Sequence, residues 1–198
     1  MVGQSVNSNS PWDLQIANGQ LYVANSGNHQ ILSLNLKEGI LKRFAGSGKE
    51  SIDNGTLEKS SFSQPSGIAH QGDSLFIADA EASAVRIINL KTNTVSTIFG
   101  KGLFHFGEVD GKIETAKIQH NMAVLPYKGF VLVADTYNGK IKSIDLARGT
   151  ISTIASGFDE PNDLLVADGY LYVTETNNNK LWRISLSDNS KKEIAVTQ

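Results

Sequence analysis

The stretch LYVANSGNHQILSLNL, Leu21 to Leu36, decides the fold. Two short apolar runs that alternate with period two flank a small polar loop, NSGNHQ. Alternation over so few residues is a strand signature, and the loop has the composition of a turn. Working outward, the same pattern returns three times: LFIADAEASAVRIINL from Leu75, VLVADTYNGKIKSIDL from Val131 and LYVTETNNNKLWRISL from Leu171. The offsets are 54, 56 and 40 residues. Within each unit the register is rigid. The second run starts ten residues after the first, at Ile31, Val85, Ile141 and Leu181, and closes on Leu36, Leu90, Leu146 and Leu186.

Each unit extends in both directions. Ten residues before each anchor stand Pro11, Pro65, Asn121 and Pro161, followed by a short apolar segment such as WDLQI. Beyond the closing leucine lies a fourth run, ILKRFAG, TVSTIFG, TISTIAS or KKEIAV. Four short strands per unit, repeated, predict the blades of an all-β propeller, about 11–48, 62–102, 118–157 and 158–198, behind an N-terminal extension 1–10. No stretch shows a helical period of 3.6. Two connections between units are long, and both carry Gly-x-Gly and then Asx-Gly: Gly46, Gly48, Asn54-Gly55 and Gly100, Gly102, Asp110-Gly111. Phe62 and Ile118 follow seven residues after Gly55 and Gly111, and the third connection lacks the insert.

Composition narrows the functional classes. The chain has 198 residues, enough for a sizeable core, and its net charge of −2 argues against nucleic acid, which usually needs a basic face. It has no cysteine, hence no disulfide, thiol nucleophile or Cys-ligated zinc. No apolar run approaches the roughly 18 residues of a membrane helix, and the start MVGQSVNSNS has no signal-peptide core. The chain therefore reads as soluble, with the cytoplasm the better fit and neither nucleic acid nor membrane among its partners.

The repeat register also weighs the candidate chemistry. His29 shares its position with Ser83, Gly139 and Asn179, which marks a turn rather than a catalytic group. The column Asn25, Asp79, Asp135 and Glu175 closes each first run and is expected to accept backbone N–H groups of the following turn. The residues one and two beyond the proline column should face a central channel. There Trp12, Asp13, Asn162 and Asp163 are candidate binding residues, while Gly67 and Ala123 offer no ligand atoms. His120, beside the second long connection, is a fifth candidate. The four histidines make no His-x3-His or His-Glu-x-x-His pair, so zinc spacing is missing. GSGKES fails as a phosphate loop, because Arg43 stands at the first glycine position and Glu50 follows Lys49. For Trp12 and Trp182, core packing is the expected role.

These residues resemble a known family. NSGNHQI is similar to the Asn-His-Leu signature of NHL repeats, with Gln30 in the leucine slot. LFIADAEASAVRII, LFHFGEVDGKIETAKIQH and LVADTYNGKIKSID resemble the subgroup in which a thioredoxin-like domain precedes an NHL propeller. The departures are Asn121 in the proline column and Ser83, Gly139 and Asn179 in place of the signature histidine. The resemblance implies a propeller that usually has six blades, so four blades imply part of a larger protein, whose open blade faces would otherwise self-associate. It implies a non-catalytic binding scaffold that uses no cofactor and whose partner is a protein, or a thioredoxin-like domain in cis. The alternative it leaves open is a propeller hydrolase or lyase, gluconolactonase-like, with calcium in the channel.

Overall fold

The computed structural model describes residues 7–195. Blade 1 is the antiparallel sheet β1 (Pro11–Ala17), β2 (Gln20–Asn25), β3 (Gln30–Asn35) and β4 (Ile40–Ala45). Its β2–β3 loop is one turn of 3-10 helix, Ser26–Asn28, and its other hairpins turn on left-handed residues such as Asn18 and Gly39. Blade 2 begins with a two-residue strand, β5 (Gly55–Thr56), and continues as β6 (Pro65–Gln71), β7 (Ser74–Asp79), β8 (Ala84–Asn89) and β9 (Thr94–Phe99). Blade 3 repeats that plan with β10 (Gly111–Lys112), β11 (Ala123–Tyr127), β12 (Phe130–Asp135), β13 (Lys140–Asp145) and β14 (Thr150–Ser156). Blade 4 returns to four strands: β15 (Pro161–Ala167), β16 (Tyr170–Glu175), β17 (Lys180–Ser185) and β18 (Lys191–Glu193).

All sixteen strands expected from the repeat are present. The long connections add what periodicity does not reveal. β5 pairs with the outer strand β9, and β10 with the outer strand β14, so each insert becomes a fifth strand on the blade that follows it.

Alternation sends each blade's side chains to two faces, and the three buried clusters lie between successive blades. Tyr22, Ala24 and Ile31 of blade 1 meet Ile68, Leu75, Ile77 and Ile88 of blade 2. Phe76, Ala78 and Val85 meet Val124, Val131, Val133 and Ile144 of blade 3. Leu132, Ala134 and Ile141 meet Leu164, Leu171, Val173 and Ile184 of blade 4. Each fully buried Ile or Leu contributes on the order of 1.5–3 kcal/mol, which a single blade in water would not gain. The outward face of blade 1 leaves Leu14 and Ile16 more than half exposed, and that of blade 4 leaves Leu165 so. Among the described residues no helix is long and apolar enough to cross a membrane.

Candidate functional site

The polar column works as a set of fasteners. Asn25, Asp79 and Asp135 are fully buried and Glu175 nearly so. Each accepts a backbone N–H from the residue sixteen positions earlier: Asn9 at 2.7 Å, Ser63 at 2.6 Å, Gln119 at 2.7 Å and Asp159 at 2.5 Å. The expected acceptor role is there, but the donor precedes the blade instead of following the strand. The column thus pins the segment leading into each blade, through a neutral amide in blade 1 and through a carboxyl group in the other three.

The residue seven beyond each column member completes the device: Leu32, Arg86, Lys142 and Trp182. Arg86 is completely buried. Its guanidinium lies 3.3 Å from Asp79 and donates to the carbonyls of Ser61 (2.8 Å) and Asp53 (3.1 Å) and to Asn54 Oδ1. It therefore ties the first long insert to blade 2. Lys142 does the same for blade 3, with its ammonium 2.7 Å from Asp110 and 3.7 Å from Asp135. In blade 4, Trp182 Nε1 donates to Glu175 Oε2 at 2.8 Å. Burial pushes the Asp79 carboxyl up to about 7 against the pull of Arg86, and raises Asp135 as well. At Glu175 burial also acts upward, but the bonds from Trp182 and Asp159 outweigh it and hold the carboxyl below its ordinary value.

Four of the five candidate residues from the sequence come together. Trp12, Asp13, Asn162 and Asp163 line a central cavity of about 110 Å³ with Ser66, Met122 and Ala123. A register irregularity between Pro11 and Asp13, and between Pro161 and Asp163, sets consecutive side chains toward this space. The same bulge leaves Trp12 57% exposed, contrary to the core role expected for it, whereas Trp182 does pack into the blade 3–4 core. Asp13 accepts from Leu14 N (2.7 Å) and Ile68 N (2.8 Å), and Asp163 from Leu164 N (2.7 Å). Burial raises the Asp13 carboxyl, with Asp163 adding to the rise. Gly67 is required here, because a Cβ would come within 2.6 Å of the Met122 carbonyl oxygen. The oxygen-bearing side chains of this lining are Asp13, Asp163, Asn162 and Ser66, and both carboxylates already accept backbone N–H groups.

His120 lies apart from that cavity, on the turn side of the molecule. Its ring stacks on Tyr137 at 4.2 Å, with Glu81 3.6 Å away, and burial lowers its pKa. His29 occupies the left-handed turn position expected of it, with φ 54°, alongside Ser83, Gly139 and Asn179 at 47°, 61° and 52°. Its Nδ1 accepts from Gln64 N at 3.2 Å, a second structural task. Among the described residues no group of three or more His, Cys, Asp or Glu side chains converges.

Asn121 explains its own departure from proline. Ser26 and Thr136 send hydroxyls to the carbonyls of Pro65 and Pro161 on the next blade. Blade 2 has Ala80 at that position, and Asn121 Nδ2 reaches back to the Ala84 carbonyl at 2.9 Å instead. Arg86, Lys142 and Tyr137 are the polar residues that sequence reasoning overlooked. The constant spacing of seven from the acidic column was the available signal for the first two.

The chain is a four-bladed β-propeller that carries an NHL repeat: the NHL repeat model matches residues 9–32, from just before β1 into β3. It is similar to NHL repeat-containing protein 2 of Homo sapiens, 33% identical over 98% of this chain and 33% of that protein. It is likewise similar to Protein SUPPRESSOR OF QUENCHING 1, chloroplastic, of Arabidopsis thaliana, 34% identical over 96% of this chain and 21% of that protein. The chain thus spans a fifth to a third of the length of these relatives. Among solved structures, hydrazine synthase of Kuenenia stuttgartiensis aligns with a TM-score of 0.66 at 12% identity, over 98% of this chain and 52% of that one. An auxiliary nutrient binding protein from Bacteroides ovatus aligns with a TM-score of 0.65 at 13% identity, over 90% and 46%. Identities that low speak to the fold alone.

Proposed function

We propose that this chain is a non-catalytic binding scaffold, the propeller portion of a larger protein in which a thioredoxin-like domain stands in cis. The observation that carries the non-catalytic reading is the fate of the polar column. Every carboxylate or amide that the repeat places in a core position is occupied in fastening backbone, at the same donor offset in each blade. A general acid or base needs a face toward substrate, and these have none. What remains for partners is a rigid sheet framework displaying turns, the arrangement that suits protein recognition. The scaffold uses no cofactor, and its partners are proteins rather than nucleic acid or membrane.

The test is purification of the native species from the source cells, followed by native mass spectrometry, peptide mapping and metal analysis. The expected result is a mass well above 21.4 kDa, with a Cys-x-x-Cys segment in the map and no stoichiometric metal. A species of 21.4 kDa overturns the larger-protein reading. Stoichiometric calcium or zinc together with lactone hydrolysis overturns the non-catalytic one.

A further inference from the structure

The three clefts between blades are not equally filled at their outer edge. In the first, Leu57 of the long insert packs with Ala17, Tyr22, Phe44 and Leu90. In the second, Ile113 takes the same place beside Phe76, Ile87 and Ile98. The two inserts share one register, Asn54-Gly55-Thr56-Leu57-Glu58 against Asp110-Gly111-Lys112-Ile113-Glu114. The N–H groups of Leu57 and Ile113 donate to Asn93 O (3.3 Å) and Gly149 O (3.0 Å), at the hairpin before the outer strand. The third cleft has the short connection. Phe158, three residues before Pro161, fills the position of Phe62 and Ile118, but nothing in that connection corresponds to Leu57 or Ile113. At this outer place lies a cavity of about 580 Å³. It is walled by Tyr127, Leu132, Ile154 and Leu186, the repeat equivalents of Ala17, Tyr22, Phe44 and Leu90. Asn189 also lines it, in the left-handed conformation (φ 59°) of Asn93 and Gly149.

We propose that this groove between blades 3 and 4 is a docking site for an extended segment of a partner protein. The segment has the chemistry of the chain's own inserts, Gly-x-(Leu/Ile)-Glu. It adds a short fifth strand to the free edge of β18, as β5 does on β9 and β10 on β14, and seats its Leu or Ile in the cavity. Its main-chain N–H reaches Asn189 O. Lys128 is the charged side chain of the lining, and Lys192 lies on the edge strand, which suits the glutamate that follows the apolar residue in both inserts. Lys191 is already engaged. Its ammonium binds the carbonyls of Ser156 and Gly157 over the rings of Phe158 and Trp182, and Trp182 stands where Arg86 and Lys142 anchor the inserts of blades 2 and 3. This proposal deepens the scaffold reading and rests on it.

The probe is a synthetic peptide DGKIETA, the sequence of residues 110–116, titrated into the full chain and followed by fluorescence anisotropy and hydrogen exchange. The expected result is saturable micromolar binding with new protection at residues 186–193. Replacing the peptide isoleucine by alanine should weaken it roughly tenfold or more. Leu186→Arg should abolish it. Ser152→Trp, which fills the groove from an exposed position, gives the same reading should Leu186→Arg fail to fold. No binding, or protection mapped elsewhere, overturns the proposal. Self-association without peptide that Ser152→Trp dissolves also overturns it, because the occupant is then a second copy. A native species of 21.4 kDa would refute the larger-protein reading and leave the peptide result untouched.

Discussion

Blades 2 and 3 differ from blades 1 and 4 at one pair of positions, and the two long inserts fasten to that pair. All four blades close a strand with a buried hydrogen-bond acceptor. In the inner two it is an aspartate faced by a cation seven residues on, and the cation reaches out to the insert. In blade 1 the pair is Asn25 and Leu32, and Asn25 Nδ2 finds no partner among the described residues. In blade 4 it is Glu175 with Trp182, whose ring N–H replaces the cation. A buried charge is tolerated only when it is paired and hydrogen-bonded, and the insert completes that pairing, through carbonyls at Arg86 and through the Asp110 carboxylate at Lys142. Insert and buried cation therefore occur together in blades 2 and 3, and blade 4 lacks both.

The largest effect should follow from breaking the ionic pair on one side. Arg86→Leu, which copies Leu32, leaves Asp79 buried without its cation and the insert carbonyls unbonded. The expected loss is about 3–5 kcal/mol in a urea unfolding curve. The double variant Asp79→Asn with Arg86→Leu copies blade 1 in full and should recover part of that loss, because no uncompensated charge remains. A double variant as unstable as Arg86→Leu would break the comparison, since the blades would then differ by more than this pair.

The same pair sets a pH dependence. The Asp79 carboxyl is raised to about 7 by burial, with Arg86 opposing, so its folded value lies above its unfolded one. The stability it contributes is full below the ordinary carboxylate range and is lost as pH rises through about 7. Asp135, also raised, acts in the same direction. The urea midpoint should therefore fall between about pH 5 and about pH 8. Asp79→Asn should flatten that slope while lowering the midpoint throughout. An unchanged slope would remove Asp79 as its source.

The sequence makes the blades legible because strand alternation and turn residues are local signals, repeated four times in one register. His29 is legible for the same reason, since Ser83, Gly139 and Asn179 tell what its position requires. β5 and β10 are not, because two residues have no period and their pairing is set by tertiary contact. Arg86 and Lys142 sit inside alternating runs, where a charged residue reads as solvent-facing until its spacing from the acidic column is compared between blades. Trp12 is misplaced by a bulge, which shifts a side chain by one step without trace in the pattern. The channel residues were found by register alone. His120 stands one residue before the proline column, in the left-handed position it shares with Ser10, Gln64 and Glu160, but only the folded chain brings its ring to Tyr137 and Glu81.

A smaller effect should follow in the outer blade. Trp182→Phe keeps the ring and removes the bond to Glu175, which leaves a nearly buried carboxylate held only by Asp159 N and Asn178. The expected loss is about 1–2 kcal/mol, read from thermal or urea unfolding. It should stay below that of Arg86→Leu, because Trp182 bonds no insert. An equal or larger loss would mean that the cation's ties to the insert add nothing.

The smallest effect lies at the turn shared by all four blades. A left-handed residue other than glycine carries about 1 kcal/mol of steric cost, least for Asn and absent for Gly. Natural variation here already includes Gly139 and Asn179. His29→Gly should relieve that cost but lose the Nδ1 acceptor for Gln64 N, so the two terms nearly cancel and the unfolding midpoint should barely move. His29→Ala keeps the steric cost and loses the acceptor, so it should fall below His29→Gly by about 1 kcal/mol. The ordering of these two variants sharpens the comparison between blades. Gly above Ala means that the turn geometry dominates at this position in blade 1 as it does in blade 3. Equal losses would assign the whole role of His29 to its bond with blade 2.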